Sequence, residues 1–349
     1  MTRSQETGPA TRETAPTSVE LTPSGPRLSH GPPRRPDTAD AVLVEPALVG
    51  VCRSDLKEIG GRRPGPSQFG HELVGVVTDS STPLLPAGSR VCLDPNVPLD
   101  RGTGFARRMW AGGSPGALVR ALPVAPAGTG ERRLVFAEPL ACAAHCLTMA
   151  GRHLRAGGLR GLRVCVLGAG MAGVLIARLA ETAGAEVLIA NRDADRLDFL
   201  RARDMLPSLG GARLGEADPG HDVVVVATSF VLPELLERAL NLLRRDGLVM
   251  LYGGTAAGDR LPGLSCDLDR VRRAELVRET SWRGRPVRVG GSYGTTSEDF
   301  ADALRVLADT PDGLGVERLI TAEVSLPGLP DTLRRLASDR HLGKVLVRP

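Results

Sequence analysis

Aromatic side chains are scarce in this sequence: two Trp, two Tyr and six Phe among 349 residues. So thin a supply argues against a surface of aromatic platforms on which nucleic-acid bases stack. An excess of charge of one sign is missing too. Lys and Arg number 44 against 40 Asp and Glu, a formal net charge of +4, which is too balanced to imply a nucleic-acid partner. No run approaches the roughly 20 apolar residues of a membrane span. The N-terminus, MTRSQETGPATRETAPTS, has no apolar signal segment, so a cytoplasmic location is expected. Lysine is almost absent, with Lys57 and Lys344 standing alone among arginines, a bias that reads as codon composition. The six cysteines (Cys52, Cys92, Cys142, Cys146, Cys165 and Cys266) are scattered through a long chain. They read as core thiols or metal ligands rather than as a disulfide framework.

What is present is enough for real cores. Hydrophobic residues make up 42% of the chain, and its 349 residues suggest two domains. The organising stretch spans residues 163–192, RVCVLGAGMAGVLIARLAETAGAEVLIANR. Val164 to Leu167 form an apolar run typical of a parallel strand buried on both faces. Gly168, Gly170 and Gly173 then complete G-x-G-x-x-G, with Met171 and Ala172 opening a helix predicted to run to Thr182. Gly168 makes the tight turn, Gly170 lets backbone approach a pyrophosphate, and Gly173 lets the helix pack on the strand. Gly184 stops the helix, and a second strand is predicted over 186–190. This is a dinucleotide-binding unit.

The end of that second strand bears on which dinucleotide. Asn191 stands where NAD-binding units usually carry an acid, followed by Arg192, with Arg196 one turn on. A neutral residue and a guanidinium suit a 2′-phosphate, which favours NADP(H) over NAD(H). The alternative leaves Arg192 solvated and gives the ribose to Asp193 or Asp195.

Around this unit the texture changes along the chain. Residues 1–36, rich in Pro, Thr, Ser, Glu and Arg, are expected to be largely disordered, with one edge strand near 19–21. Strands are predicted over 41–49 and after Glu72, and short strands and turns continue to about Pro126. A helix is predicted over 138–153. Residues 222–227, 248–252 and 287–289 read as buried strands, and 297–307 as an amphipathic helix capped by Ser297. Residues 342–347 read as a last strand that returns to the first domain.

Cys52, His71 and Glu138 are each of a zinc-ligand type, and each sits where strand or loop meets helix. They are spaced too far apart for a zinc finger; scattered ligands of this sort serve a catalytic metal with one position left open. Each also has a plain alternative: a core thiol, a satisfied loop histidine, an acid at a helix N-terminus.

The residues flanking these three resemble the medium-chain dehydrogenase/reductase family, of the zinc-dependent alcohol dehydrogenase type. G-V-C-R-S-D (residues 50–55), G-H-E (70–72) and E-P-L (138–140) stand in the family's order ahead of the glycine turn, and G-S-Y-G (291–294) and the closing G-K-V follow it. Glu as third ligand is similar to the sorbitol and threonine dehydrogenase branch. The resemblance implies an α/β fold: a Rossmann doubly wound parallel sheet over 140–290, and a β-rich GroES-like catalytic domain formed by 37–139 and 291–349. It implies that Cys52, His71 and Glu138 hold one zinc, with Glu72 beside it. Asp55 would fix the tautomer of the ligand histidine, Ser54 would relay the substrate proton, and Arg53 would reach the cofactor pyrophosphate.

Many relatives carry a second, structural zinc on four cysteines after the G-H-E strand. The corresponding residues 94–113 contain no cysteine here, so a lobe held by packing is expected. The function implied is hydride transfer between NADP(H) and a small secondary alcohol or ketone, in particular a polyol, cyclitol or sugar-like molecule, by a homodimer or homotetramer. The alternatives are a zinc-free NADPH-dependent reductase of the same fold and a catalytically silent dinucleotide-binding protein.

Overall fold

The computed structural model of the chain describes residues 15–63, 66–154, 157–310, 312–339 and 341–349. The first fourteen residues of the segment expected to be disordered lie outside this range. The remainder of that segment is more ordered than its composition suggests, because β1 (Ser18–Thr22) and β2 (Gly25–Ser29) form an antiparallel hairpin. Gly25, at φ 101°, lies at its turn. Val19 is fully buried and donates its N–H to the Phe105 carbonyl at 2.8 Å, which ties the hairpin to the body.

The first large sheet is built around β3 (Ala41–Gly50), whose near-alternating apolar residues bury one face. β3 pairs antiparallel with β4 (Glu72–Ser80), which in turn pairs with β5 (Arg90–Cys92). Between β3 and β4 lies the short helix α1 (Arg53–Ile59). β6 (Asp100–Arg101) and β7 (Met109–Gly112) form the cysteine-free lobe, β7 pairing with the start of β3. Leu99, Phe105 and Met109 pack into the sheet's core, and the Phe69 and Phe105 rings meet edge to face at 4.9 Å. The lobe is thus held by packing, as expected.

Helices α2 (Pro115–Ala121) and α3 (Glu131–Leu134) lead to α4 (Ala137–Leu154), and a second sheet follows. Its strands are β8 (Arg163–Leu167), β9 (Glu186–Asn191), β10 (Gly211–Arg213), β11 (His221–Val226), β12 (Leu243–Leu251), β13 (Val277–Trp282) and β14 (Arg285–Gly291). They run in the order β10-β9-β8-β11-β12-β14-β13, all parallel except β13, which is the doubly wound arrangement. Alternate residues explain the unbroken apolar runs. Val164, Val166, Val223 and Val225 face α4, α5 (Met171–Thr182) and α6 (Ala194–Ala202). Cys165, Leu167, Val224 and Val226 face the opposite layer, with α7 (Pro233–Leu242) and α8 (Leu268–Arg273).

α9 (Ser297–Asp309) buries Phe300, Ala303, Leu304 and Leu307 in the same core as α4 and α5. Its cap is Thr296 rather than Ser297: the Thr296 hydroxyl accepts from the Asp299 N–H at 3.2 Å and Asp299 reciprocates, a capping box. The chain returns through β15 (Ile320–Ser325) and α10 (Leu329–Ser338) to β16 (Lys344–Arg348), which pairs with β15 and β3 and closes the first sheet. Among the described residues, no helix is long and apolar enough to cross a membrane.

Candidate active site

The strand-to-helix turn after β3 and the loop before β4 meet at one point. Cys52 is the N-cap of α1, and its N–H donates to Asp55 Oδ2 at 2.8 Å. Asp55 is fully buried and with Oδ1 accepts the Gly70 N–H at 3.0 Å, so one carboxylate ties the two turns together. Gly70 sits at φ 69°, where a Cβ would come within 2.6 Å of the Phe105 N, so lobe and loop touch backbone to backbone. His71 Nδ1 lies 3.0 Å from the Gln68 carbonyl and 3.5 Å from Asp55 Oδ1. The expected tautomer lock is therefore made chiefly by the Gln68 backbone, with Asp55 as a more distant charge. Nε2 is left to point inward. Burial alone would lower the His71 pKa, but Asp55 and then Cys52 more than offset it and hold it well above the usual histidine value.

Among the described residues, Cys52, His71 and Glu72 bring ligand atoms within 4.8 Å of one another. A thiolate, an imidazole and a carboxylate in one half-buried pocket suit zinc, which takes S, N and O donors. Ser54 Oγ donates to Cys52 Sγ at 3.0 Å and lies 3.3 Å from His71 Nε2.

Glu138 stands apart from this close group. Its Oε1 accepts from the Cys142 thiol at 3.4 Å, one helical turn along α4. Burial raises its pKa, opposed by the charge of His71 and reinforced by that of Glu72. Cys142 is held well above the usual thiol value by burial and by Glu138, so it is a protonated neighbour. Glu72, expected only beside the metal, is inside the close group. Its carboxylate is paired with the buried Lys344 ammonium, which also donates to the Val51 carbonyl at 3.4 Å. A side chain at Gly50 would collide with the Glu72 carboxylate. Lys344, Gly50 and Gln68 are partners that sequence reasoning missed; the closing G-K-V held the one available signal.

The glycine turn carries out its expected tasks. Gly168 has φ 115° and a Cβ there would lie 2.9 Å from the Ala227 carbonyl oxygen, while one at Gly173 would strike the Gly168 carbonyl. A Cβ at Gly170 would meet open space, where a diphosphate can approach the first amides of α5, starting at Met171 and Ala172. The second strand differs from expectation in detail. Asn191 Oδ1 accepts the Ala169 N–H at 3.1 Å and Nδ2 donates to the Asp193 carbonyl at 2.8 Å, so its side chain braces the turn. Arg192 is 73% exposed, with Nε 3.2 Å from Asp193 Oδ1. Arg196 donates to the His341 carbonyl at 3.2 Å, drawn towards the segment before β16. Arg213, which no sequence motif singles out, stands in register with Asn191 on the neighbouring strand.

The two sheets are joined across the cleft. Lys57, on α1, donates to the Ser229 carbonyl at 2.9 Å and lies 4.6 Å from the Phe230 ring, in the loop after β11. Asn96 Nδ2 donates to Thr295 Oγ1 at 2.8 Å. Arg53 is exposed at the head of α1, near enough for its charge to act on Lys57.

Residues 38–150 match the family described as the alcohol dehydrogenase GroES-like domain. The chain is 28% identical to L-idonate 5-dehydrogenase (NAD(P)(+)) of Escherichia coli K12, over 88% of this chain and 91% of that protein. It is 23% identical to L-galactonate-5-dehydrogenase of the same organism, over 87% and 91%. Two solved structures share the fold at TM-score 0.74: an NADP-bound zinc-binding dehydrogenase of Sinorhizobium meliloti 1021, 21% identical over 96% of this chain and 99% of that one, and galactitol-1-phosphate dehydrogenase of Escherichia coli, 20% identical over 96% and 100%. Residues 38–150 thus carry the alcohol dehydrogenase GroES-like domain, and the relatives aligned along most of the chain, with the ordered motifs around Cys52, His71 and Glu138, support the medium-chain dehydrogenase/reductase family, zinc-dependent alcohol dehydrogenase type, in its sorbitol and threonine dehydrogenase-like branch.

Proposed function

We propose that the chain moves a hydride between NADP(H) and a secondary alcohol or ketone, the substrate being a polyol, cyclitol or sugar-like molecule. The observation that carries this reading is Ser54: its hydroxyl lies within 3.3 Å of both a thiolate-type and an imidazole ligand atom, where a substrate hydroxyl would give up its proton. Sugar-acid dehydrogenases among the relatives support the substrate class.

Cys52, His71 and a carboxylate would hold the zinc. Glu138 is favoured for the third place because Glu72 already has the Lys344 cation, whereas the Glu138 carboxylate has a thiol. Bound zinc supplies a Lewis acid that makes a substrate hydroxyl easier to deprotonate, and the nicotinamide supplies the hydride acceptor. The chain's own residues do the rest. Asp55 and the Gln68 carbonyl fix the two ligand turns, Ser54 accepts the hydroxyl proton and passes it outward, and Arg53 would meet the pyrophosphate at the cleft. For the cofactor 2′-phosphate, Arg192 would exchange Asp193 for the phosphate, with Arg213 beside it. A two-fold copy would extend the parallel sheet along the edge strand β13, giving the homodimer unit.

The test is metal content. Wild type should bind one zinc per chain, Cys52→Ser and His71→Ala well under a tenth, and Glu138→Ala should lose more zinc than Glu72→Gln. Wild-type protein that transfers hydride with no zinc bound would support the zinc-free reductase instead, and protein that binds a dinucleotide without transferring hydride would support the silent one.

A further inference from the structure

Residues 292–296 lead from the carboxyl end of β14 into α9, and the Ser292 N–H donates to the Leu251 carbonyl at the end of β12 at 3.3 Å. Doubly wound sheets bind their ligands outside the carboxyl ends of the strands. A dinucleotide with its diphosphate on the turn after β8 would place its adenosine ribose at the end of β9. Its nicotinamide half then runs the other way, past β11 towards β12 and β14. Residues 292–296 wall that end of the cleft. They also cross it: Thr295 Oγ1 accepts from Asn96 Nδ2 at 2.8 Å, and Asp94 Oδ1 accepts from the Asn96 backbone and side chain at 3.0 and 3.1 Å.

Both ends of this segment are held by carboxylates, and one imidazole joins the carboxylates. At the start, the Tyr293 N–H donates to Glu275 Oε1 at 2.8 Å. At the end, Asp299 Oδ2 accepts the Thr296 N–H at 2.9 Å and the Thr296 hydroxyl at 2.6 Å. His145, on α4, lies between them. Its Nδ1 is 2.8 Å from the same Asp299 oxygen, and its Nε2 is hydrogen-bonded to the same Glu275 oxygen. His145 and Asp299 are buried, and Glu275 is half-buried.

An ionised carboxylate only accepts, so an imidazole that bonds two of them must carry a proton on each ring nitrogen. The Asp299 hydrogen bond, with Glu275, raises the His145 pKa against the effect of burial. Burial alone would raise Asp299, but His145 and Thr296 more than offset it and hold it below the usual carboxylate value. Other groups bear on the cluster without changing its charge near neutral pH. Asp94 feels Asp299; His153 and Cys146, both on α4, feel Glu275; Arg272 lies 5.0 Å from the Tyr293 ring. Burial lowers His153 below the usual histidine value and pushes Cys146 up to about 12, so both stay uncharged. Among the described residues of the cluster, His145 is thus the one whose charge changes between pH 6.5 and 9.

We propose that His145 is a positioning residue for hydride transfer: donating from both ring nitrogens, it holds Glu275 and Asp299, and through them both ends of the segment that walls the nicotinamide half of the cofactor site. This rests on the dehydrogenase reading above. Glu138 lies seven residues earlier on the same face of α4, so the clamp also sets that wall relative to the candidate metal carboxylate. A neutral imidazole has one N–H and can hold only one carboxylate. The clamp is therefore fully present below the ordinary histidine value of 6.5 and is lost as the pH rises through the raised one.

The experiment measures dissociation constants of NADPH and of 2′-phospho-ADP-ribose, which lacks the nicotinamide, at pH 6.5 and pH 9. NADH and ADP-ribose take their place should NADH bind more tightly. In wild type, NADPH should bind about fivefold or more weakly at pH 9, while the fragment changes by less than about twofold. His145→Gln should weaken NADPH to a similar degree already at pH 6.5, abolish the pH step and leave the fragment unaffected. Glu275→Ala should show the same selective loss, and it carries the test should the His145 variant fail to fold. Equal weakening of NADPH and fragment, as expected of a merely structural contact, would overturn the clamp. So would a wild-type NADPH affinity that is flat between the two pH values, or a pH step that persists in His145→Gln. Wild type that binds neither NADPH nor NADH would contradict the dehydrogenase reading itself, and the clamp with it.

Discussion

Glu72 and Lys344 show what a single buried pair contributes. Burial alone would lower the Lys344 ammonium, but Glu72 first, with Cys52 and Glu138, more than offsets it and raises the pKa above 10.5. Its contribution is therefore present throughout the neutral range and is lost as the pH rises through that raised value. Lys344→Met leaves Glu72 buried without its cation, a loss of about 3–5 kcal/mol, and Lys344→Met with Glu72→Gln should recover most of it. Denaturant titration of the metal-free protein measures both. Asp55→Asn keeps the size of the brace but loses one of its two backbone bonds, and zinc affinity should fall by about 10–100-fold in chelator competition. At this scale legibility followed locality. Cys52 and His71 could be singled out because each lies in a short motif whose turn positions it. Lys344 could not, since it meets Glu72 across 272 positions of chain. Asn191 was correctly located, yet its side chain braces the glycine turn, a use visible only once the Ala169 N–H is placed.

The elements were the most legible part of the chain, because both faces of the parallel sheet are covered and its strands could be read as apolar runs. The helix predicted from Met171 to Thr182 has those bounds. The edge strand expected near 19–21 is β1, but its partner β2 was hidden because that strand buries only Pro26 in a stretch of polar composition. Gly170→Ala tests the element at the centre. The added methyl meets no protein atom within 4 Å, so stability should change by no more than about 0.5 kcal/mol. It stands where the diphosphate would approach, so NADPH binding should weaken at least tenfold by fluorescence titration.

A second test concerns the attachment of α9 to α4. His145 lies 2.8 Å from Asp299 and is also paired with Glu275, and the Asp299 hydrogen bond is the main cause of its raised pKa. That contribution is fully present below the ordinary histidine value of 6.5 and is lost as the pH rises through the raised one. Thermal midpoints of wild type should fall more steeply than those of His145→Gln as the pH rises from neutral to mildly alkaline.

On the scale of the whole molecule, function depends on two sheets meeting at a cleft. Lys57 with Ser229 and Asn96 with Thr295 cross it, from α1 and the lobe to loops of the dinucleotide-binding half. The division into two units was legible in the change from short strands and turns to alternating strands and helices. The cross-cleft contacts were not, since both join loops far apart in sequence. Cys52 and His71 lie on one side and the glycine turn on the other, so neither alone makes a dehydrogenase. The most direct test of that account is hydride transfer measured with NADPH and with NADH on zinc-quantified protein, before and after removal of the metal by chelation. The expected result is one zinc per chain, a higher kcat/KM with NADPH, loss of turnover by at least a hundredfold on chelation and recovery when zinc is restored, with cofactor binding retained throughout. Turnover that survives complete removal of zinc would contradict it.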